Sequence, residues 1–379
     1  MIDVVDQIYQ HLDNHEKALG IYLDLQKAFD TVDHRVLLAK LYHYGIRGTV
    51  YDWFCSYLTD RKQYVYISST CSDLGKVTCG VPQGSVLGPL LFLIYVNDIG
   101  NCVPNTPVKL FADDTNLFIF GKTVDSLQTD AEINIKSLNN WFIANKLSLS
   151  LDKTCYTVFG ASGADKLKIQ LKIGDAVLHQ VEHSKYLGVV IDANLSWQQH
   201  VEYIYKKIIK FTSIFYKINH KLNFDILRMI YFAFVHPHLS YGIEIYGNTY
   251  QAHLNRLIIL NNKLLRILQN CAHNTPVAKL YKNFNTLSLP DLHSYQILRF
   301  VHTFIYCHSK LPCVFSEYFS SNSAVHAYNT RNKDSLHLES FHSSLGQRSI
   351  NFKGSVLWNA LPEELKRISS VQVFKKKLK

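Results

Sequence analysis

Val108-Lys109-Leu110-Phe111-Ala112-Asp113-Asp114-Thr115-Asn116-Leu117-Phe118-Ile119-Phe120 is the stretch whose reading decides the fold. Two apolar arms, Leu110 to Ala112 and Leu117 to Phe120, flank a four-residue polar tip, Asp113 to Asn116. Aromatic residues favour strands, and Asp and Asn tolerate turn geometry, so the pattern predicts a tight β-hairpin. Its unusual feature is a pair of adjacent carboxylates between apolar flanks. Unpaired, they repel each other and resist desolvation. A divalent cation removes both penalties, and hard carboxylate oxygens suit octahedral Mg²⁺. The competing reading is an exposed Asx turn that holds no ligand.

Working outward, a second acid stands in similar company. Ala18 to Leu25 is apolar throughout except for Asp24, and an acid closing such a strand is costly unless it is paired or bound to a cation. If Asp24 joined Asp113 and Asp114 on neighbouring strands, three carboxylates could hold two Mg²⁺ ions. Such a pair clamps the attacking and leaving oxygens of a phosphoryl transfer.

The remaining chain fits a packed protein with alternating elements. Of its 379 residues, 47% are hydrophobic, which excludes a disordered chain and allows two or three domains. A net charge of +10 favours a polyanionic partner. The eight cysteines show no framework spacing and read as reduced intracellular thiols. The start, Met1 to Asp6, is acidic and lacks a signal-peptide core, and the longest apolar run, Pro89 to Val96, is too short to span a bilayer. The expectation is an intracellular protein, nuclear or cytoplasmic, without a membrane partner.

Periodicity predicts helices over 3–16, from about Asp30 or Thr31 (as cap) to Gly45, over 49–59, from Leu90 to Ile99, and over 124–145. Strands are expected at 18–25, 63–68, 75–79, 155–159, 168–173, 177–181 and 186–191. Beyond 191 the pattern is helical. Within 197–221, Ile204, Ile208, Phe211, Phe215 and Ile218 line one face, and Lys206, Lys210, Lys217 and Lys221 the other. Further helices are expected at 224–236, 251–272 and 290–308. His302, Cys307, His308 and Cys313 match no standard zinc spacing, and His34 reads as a helix-surface residue.

One ordered series joins these pieces: Asp24-Leu25-Gln26-Lys27-Ala28-Phe29-Asp30, Gly80-Val81-Pro82-Gln83-Gly84-Ser85 with Leu87-Gly88-Pro89, Phe111-Ala112-Asp113-Asp114, Lys153-Thr154 and Tyr186-Leu187-Gly188. In order and spacing it resembles motifs A to E of reverse transcriptases, in wording closest to those of non-LTR retrotransposons of the jockey/CR1 type. The resemblance covers roughly 1–191. The tail, with Tyr328-Asn329-Thr330-Arg331, Gly354 to Asn359 and Leu361-Pro362, also resembles the end of such reading frames.

The resemblance implies an α+β fold, a right-hand polymerase palm with an antiparallel sheet at 1–191. A mostly helical thumb or connection at 192–320 and a C-terminal extension at 321–379 would follow. It implies Asp24, Asp113 and Asp114 as ligands of two Mg²⁺ ions, Mn²⁺ being able to substitute, with Lys153 near the leaving pyrophosphate. Phe29 would exclude a ribose 2′-hydroxyl, or serve as an ordinary core aromatic. Gln83, Gly84 and Ser85, at a helix start, would meet the nucleotide or template. Tyr186, Leu187 and Gly188 would grip the primer 3′ end. The lysine stripe would follow a nucleic-acid backbone, or be a solvated helix face. Lys153 has the same bland alternative. Ser150 stands where the family form usually has Asn, and Asp30 reads simply as a helix cap.

The implied partners are an RNA template, a DNA primer and a dNTP. Family members carry a fingers segment before the equivalent of Asp24, which only 23 residues precede here. The expectation is therefore a piece truncated at its N-terminus, with the fingers largely missing. Two functions compete: an RNA-directed DNA polymerase, and a catalytically silent remnant that only binds nucleic acid.

Overall fold

The computed structural model describes residues 1–160, 169–326 and 333–379, and Tyr328 to Arg331 of the tail motif lie outside them. Helix α1 (Ile2–Asp13) opens the chain. Two compact units follow from the contacts: Glu16–Glu182, and Met1–His15 together with His183–Lys379.

The first unit is mixed α/β. Strand β1 (Lys17–Leu23) is followed by α2 (His34–His43), α3 (Gly48–Leu58) and four two-residue strands, β2 (Lys62–Gln63), β3 (Tyr66–Ile67), β4 (Thr70–Cys71) and β5 (Gly75–Lys76). Then come α4 (Leu87–Val96), β6 (Val108–Phe111), β7 (Asp114–Gly121), α5 (Val124–Ala144) and β8 (Cys155–Phe159). Short β9 (Lys172–Ile173), β10 (Ala176–Val177) and β11 (His179–Gln180) end the unit. The main sheet has the order β11-β8-β1-β7-β6, antiparallel except for the β8–β11 pair.

Strand β1 is central because its sequence suits burial on both faces. Leu19, Ile21 and Leu23 share a core with Leu117, Ile119, Tyr156 and Val158 of the sheet and with residues of α4 and α5. On the other face Gly20 leaves room for aromatics: a Cβ there would stand 3.0–3.2 Å from Tyr22, Phe118 and Phe159. The Tyr22 and Phe118 rings meet edge to face at 6.1 Å.

Two expectations need correction. The hairpin tip is Ala112-Asp113, with Phe111 opposite Asp114, and not the four residues Asp113 to Asn116. Thr115 and Asn116 are buried and carry the ladder on, opposite Leu23 and Tyr22. Pairing on both edges overrides their turn preference. The cap of α2 is Asp33, whose carboxylate accepts from the N–H groups of Arg35 and Val36 at 3.0 Å, and neither Asp30 nor Thr31. Burial opposes ionisation of Asp33, but its bond to the Lys146 ammonium and these N–H groups outweigh burial and hold its pKa below the usual carboxylate range.

In the second unit, β12 (His183–Tyr186) and β13 (Val189–Asp192) form a hairpin. The expected helix at 197–221 is two, Gln198–Ile208 and Phe211–Ile218, separated where Thr212 N–H donates to Ile209 O three residues back. Its stripes persist: Ile204, Ile208 and Phe215 are buried, while Lys206, Lys210, Lys217 and Lys221 are exposed. Among the described residues no helix is long and apolar enough to cross a membrane.

Acids tie this unit together across the sequence. Asp192 accepts from Asn194, Ser196 and Trp197 N–H groups at 2.7–3.2 Å, and the Trp197 indole donates to Tyr9 Oη at 3.0 Å. Asp13 accepts from His342 and Ser343 N–H. Asp6, fully buried, accepts from Ile350 N–H at 3.0 Å, Asn351 N–H at 3.2 Å and the Tyr318 hydroxyl. Burial raises its pKa to about 6 even though these donors pull the other way.

Because its folded pKa lies above the ordinary value of 3.8, protonated Asp6 stabilises this unit. That contribution is full below about pH 4 and is lost as pH rises through about 6. Relative to Asp6→Asn, the parent chain should lose on the order of 3 kcal/mol between pH 4 and 7. Urea unfolding of both across that window checks this; a pH-independent difference between them would refute it.

Candidate active site

The site grows from the end of β1. The β1–β7 register runs to Leu23 opposite Thr115, so Asp24, the next residue, leaves β1 at the end of the sheet where Asp114 begins β7, with Asp113 in the adjoining turn. Strand β8 flanks the other edge, pairing Tyr22 with Cys155, and brings Thr154 and Lys153 to the same end of the sheet. Thr154 is fully buried, and its hydroxyl accepts from Asp24 N–H at 3.3 Å. Ser150 N–H donates to Asp24 O at 2.8 Å, and the Ser150 carbonyl accepts from the N–H groups of Lys153 and Thr154. Ser150, where the family pattern has Asn, is thus part of the backbone frame around Asp24.

The charges meet in the open. Lys153 Nζ stands 3.4 Å from Asp24 Oδ2, with the two side chains 74% and 33% exposed. Such a pair adds little stability, about 0–1 kcal/mol. Asp113 is half-buried and Asp114 exposed. These hard oxygen donors, solvent-facing at one strand end, suit a hard divalent cation. Among the described residues no three His, Cys, Asp or Glu side chains already converge as a closed cation cage. The acids share a sheet end and are not pre-assembled.

Beside this end, two segments hold each other by backbone bonds. Gly80 N–H donates to Val32 O and Val81 N–H to Phe29 O, both at 2.8 Å. Gly80 sits at φ +86°, and a Cβ there would stand 2.8 Å from Asp30 O. His34 Nε2 meets Gly80 O at 2.7 Å, so His34 anchors this segment rather than lying idle on a helix surface. Asp30 accepts from the Gln83 amide at 2.8 Å, which corrects its expected role as a cap. Gln83 and Gly84 are exposed. Ser85 Oγ accepts from Gly88 N–H at 2.9 Å and orders the start of α4. Phe29 stacks on Phe92, ring centroids 4.6 Å apart, as a partly buried core aromatic.

A cavity of about 560 Å³ opens beside Gln83, walled by Asp30, the 80–83 segment and the cations Arg61, Lys62 and Lys76. These three basic residues carried no role in the sequence reading. Their signal was Arg61-Lys62 just ahead of the strand-like run 63–68 and Lys76 within the run 75–79.

Tyr186, Leu187 and Gly188 lie in the other unit, at the β12–β13 turn. Leu187 (φ +48°) and Gly188 (φ +84°) form its two-residue tip, and Tyr241 Oη donates to Leu187 O at 2.6 Å. Lys206 faces Glu202 at 3.9 Å on its own helix. Two cations outside the expected stripe, Lys185 and Lys207, face the Tyr203 ring at 5.6 and 4.5 Å. His302, one of the residues weighed for zinc, bonds Ile368 O at 2.6 Å and stacks on Phe374. In the tail, Asn359 bonds both backbone groups of Leu336 and Trp358 is buried, which gives the Gly354 to Asn359 motif a structural part.

Residues 3–191 match the family model described as reverse transcriptase (RNA-dependent DNA polymerase). The chain is 28% identical over 274 residues to the RNA-directed DNA polymerase from mobile element jockey of Drosophila melanogaster, covering 69% of this chain and 30% of that protein. It is 26% identical over 290 residues (73% and 32%) to the probable RNA-directed DNA polymerase from transposon BS. It is 29% identical over 283 residues (71% and 30%) to that from transposon X-element, both also of D. melanogaster. The chain thus spans about a third of the length of these relatives.

Two loop glycines, Gly80 buried and Gly84 exposed, give a graded test. Gly84→Ala should cost only the left-handed backbone penalty, about 1–2 kcal/mol, because its Cβ meets nothing within 4 Å. Gly80→Ala adds a collision with the Asp30 backbone, so its unfolding midpoint should lie clearly below that of Gly84→Ala. Equal midpoints would show that the two segments are not held together as described.

Proposed function

Through residues 3–191 the chain belongs to the reverse transcriptase (RNA-dependent DNA polymerase) family, and from that premise we propose that it works as the palm and thumb of an RNA-directed DNA polymerase of a non-LTR retrotransposon. The observation that supports this reading is that Asp24, with Lys153 3.4 Å away, and the hairpin acids Asp113 and Asp114 lie at the same end of the β7-β1-β8 sheet. The palm is 1–191, a helical thumb or connection 192–320, and a C-terminal extension 321–379. A primer 3′-hydroxyl attacks the α-phosphate of a dNTP and pyrophosphate leaves.

Asp24, Asp113 and Asp114 would hold two Mg²⁺ ions, or Mn²⁺ in their place; when bound, the ions neutralise charge on the phosphoryl oxygens. Lys153, now beside Asp24, is placed to meet negative charge on the departing pyrophosphate. Phe29 keeps its bulk toward a ribose 2′-position while its other face rests on Phe92. Gln83, with Gly84 and Ser85 as small residues beside it at the start of α4, meets the nucleotide and template base. Tyr186, Leu187 and Gly188 hold the primer end. Lys206, Lys210, Lys217 and Lys221 run along the nucleic-acid backbone. All eight cysteines are free, in keeping with work inside the cell, in nucleus or cytoplasm.

Primer extension on an RNA template with Mg²⁺ tests the reading. Asp113→Ala/Asp114→Ala should lower extension at least about a thousandfold, since such a site supplies several kcal/mol of transition-state stabilisation. Equal signals from parent and variant would eliminate it. RNA binding that is salt-sensitive and unaccompanied by extension in either would favour the silent remnant. Phe29→Val, in an active chain, should raise ribonucleotide incorporation while leaving dNTP use within a few-fold of the parent.

A further inference from the structure

Helix α3 buries only Leu58 fully; Phe54 and Tyr57 pack partly against the core, and Trp53 is its open aromatic. On it, Trp53 and Tyr57 lie parallel, 11° apart with centroids at 5.2 Å, and the Arg61 guanidinium continues the stack 5.2 Å from the Tyr57 ring. Trp53 is half exposed. Trp53 and Tyr57 stand one helical turn apart on α3, and Arg61, past the helix end at Leu58, reaches back over the Tyr57 ring, so ring, ring and guanidinium form one ladder. The ladder leads to the 560 Å³ cavity that Arg61, Lys62 and Lys76 share with Gln83.

A second observation points to an anion. Lys62 and Lys76 are direct cross-strand partners on β2 and β5, both exposed. Like charges directly opposite destabilise an antiparallel pair. The one acid on the cavity wall, Asp30, is already bonded by Gln83. A polyanion passing over this ribbon relieves the repulsion.

We infer that the Trp53–Tyr57–Arg61 ladder and the Lys62/Lys76 ribbon form a guide for single-stranded nucleic acid. Bases stack on the exposed indole, and phosphates pass over the three cations toward Gln83. Stacking asks for unpaired bases, because only those expose their faces, and it tolerates any sequence. A protein partner would cover the aromatic face without answering the lysine pair, and lysine is depleted from protein interfaces. That the guided strand is the template ahead of the nucleotide rests on the polymerase reading above; that the surface takes a single strand does not.

The test uses the whole chain and labelled 15-nucleotide RNA and DNA, single-stranded and duplex, in fluorescence anisotropy. Trp53→Ala/Tyr57→Ala should weaken single-strand binding about tenfold or more, as expected from 1–3 kcal/mol per stacked base, and leave duplex binding within twofold. Trp53→Phe/Tyr57→Phe should restore it, which a folding defect in the alanine variant would not explain. Lys62→Ala/Lys76→Ala should flatten the salt dependence for single strands by about 1.4 in log–log slope. Single-strand affinity untouched by the Trp53/Tyr57 change overturns the proposal, as does an equal loss for duplex. Absence of primer extension alongside these binding losses would sink the polymerase reading and leave the guide standing.

Discussion

Everything at the sheet end depends on the pairing of β1 with β7 and β8. Seven consecutive residues of β1 pair with β7, and five of them also pair with β8, so both backbone edges of β1 are satisfied over most of its length. A one-residue slip would turn Leu19, Ile21 and Leu23 out of the core and bring Gly20 and Tyr22 into it, which their packing forbids. The register is therefore fixed by apolar burial, far from any charge. Its consequence is electrostatic: the first residue past the buried run, Asp24, emerges facing Lys153, at the end of the sheet where Asp114 begins β7. The core places the acids, and the acids contribute little to the core.

The neighbouring loops follow a different logic. Residues 29–33 and 80–83 form no long strand, yet they exchange backbone bonds that hold Gln83 against Asp30. Gly80 makes this approach feasible because a side chain there would collide with the Asp30 backbone. Around them, Lys40 joins α2 to α4: its ammonium bonds Asp98 and Tyr95 O at 2.6 Å and lies 4.8 Å from the Trp141 ring of α5. Burial lowers its pKa while Asp98 opposes the shift. A partly buried, hydrogen-bonded cation of this kind braces the three helices.

What the sequence made legible was what local pattern controls. Apolar runs gave β1, β7 and β8, and the isolation of Asp24 in such a run marked a residue with special work. Helical spacing placed the lysine stripe on an exposed face, as found. Less legible were features decided by partners distant in the chain. The extent of the hairpin tip depended on β1, 92 positions before Thr115 in register, which drew Thr115 and Asn116 into pairing. Asp30 and Asp33 are equivalent as caps by local rules; Gln83 and Lys146 decide which one caps. The lysine pair at Lys62 and Lys76 existed only once β2 met β5. Nothing local in the helix at the start of the chain singles out Asp6 and Asp13, whose partners lie more than 300 residues later.

The acids of this chain separate by what they accept. Asp6, Asp13 and Asp192 are buried, and each accepts two or more backbone N–H groups that cannot leave without unfolding something. Such carboxylates are structural, since backbone donors are fixed and fully committed. Asp24 stands apart: a third of its side chain is exposed, and its charge faces a lysine that is itself three-quarters exposed. A flexible, solvated ammonium is exchangeable for another cation at small cost, because the surface pair it leaves was worth little. The same fold that saturates its structural acids with immovable donors gives this one a partner it can surrender. That difference in partner, more than the mere presence of acidic residues, is what separates the end of β1 from the other acid clusters of the chain.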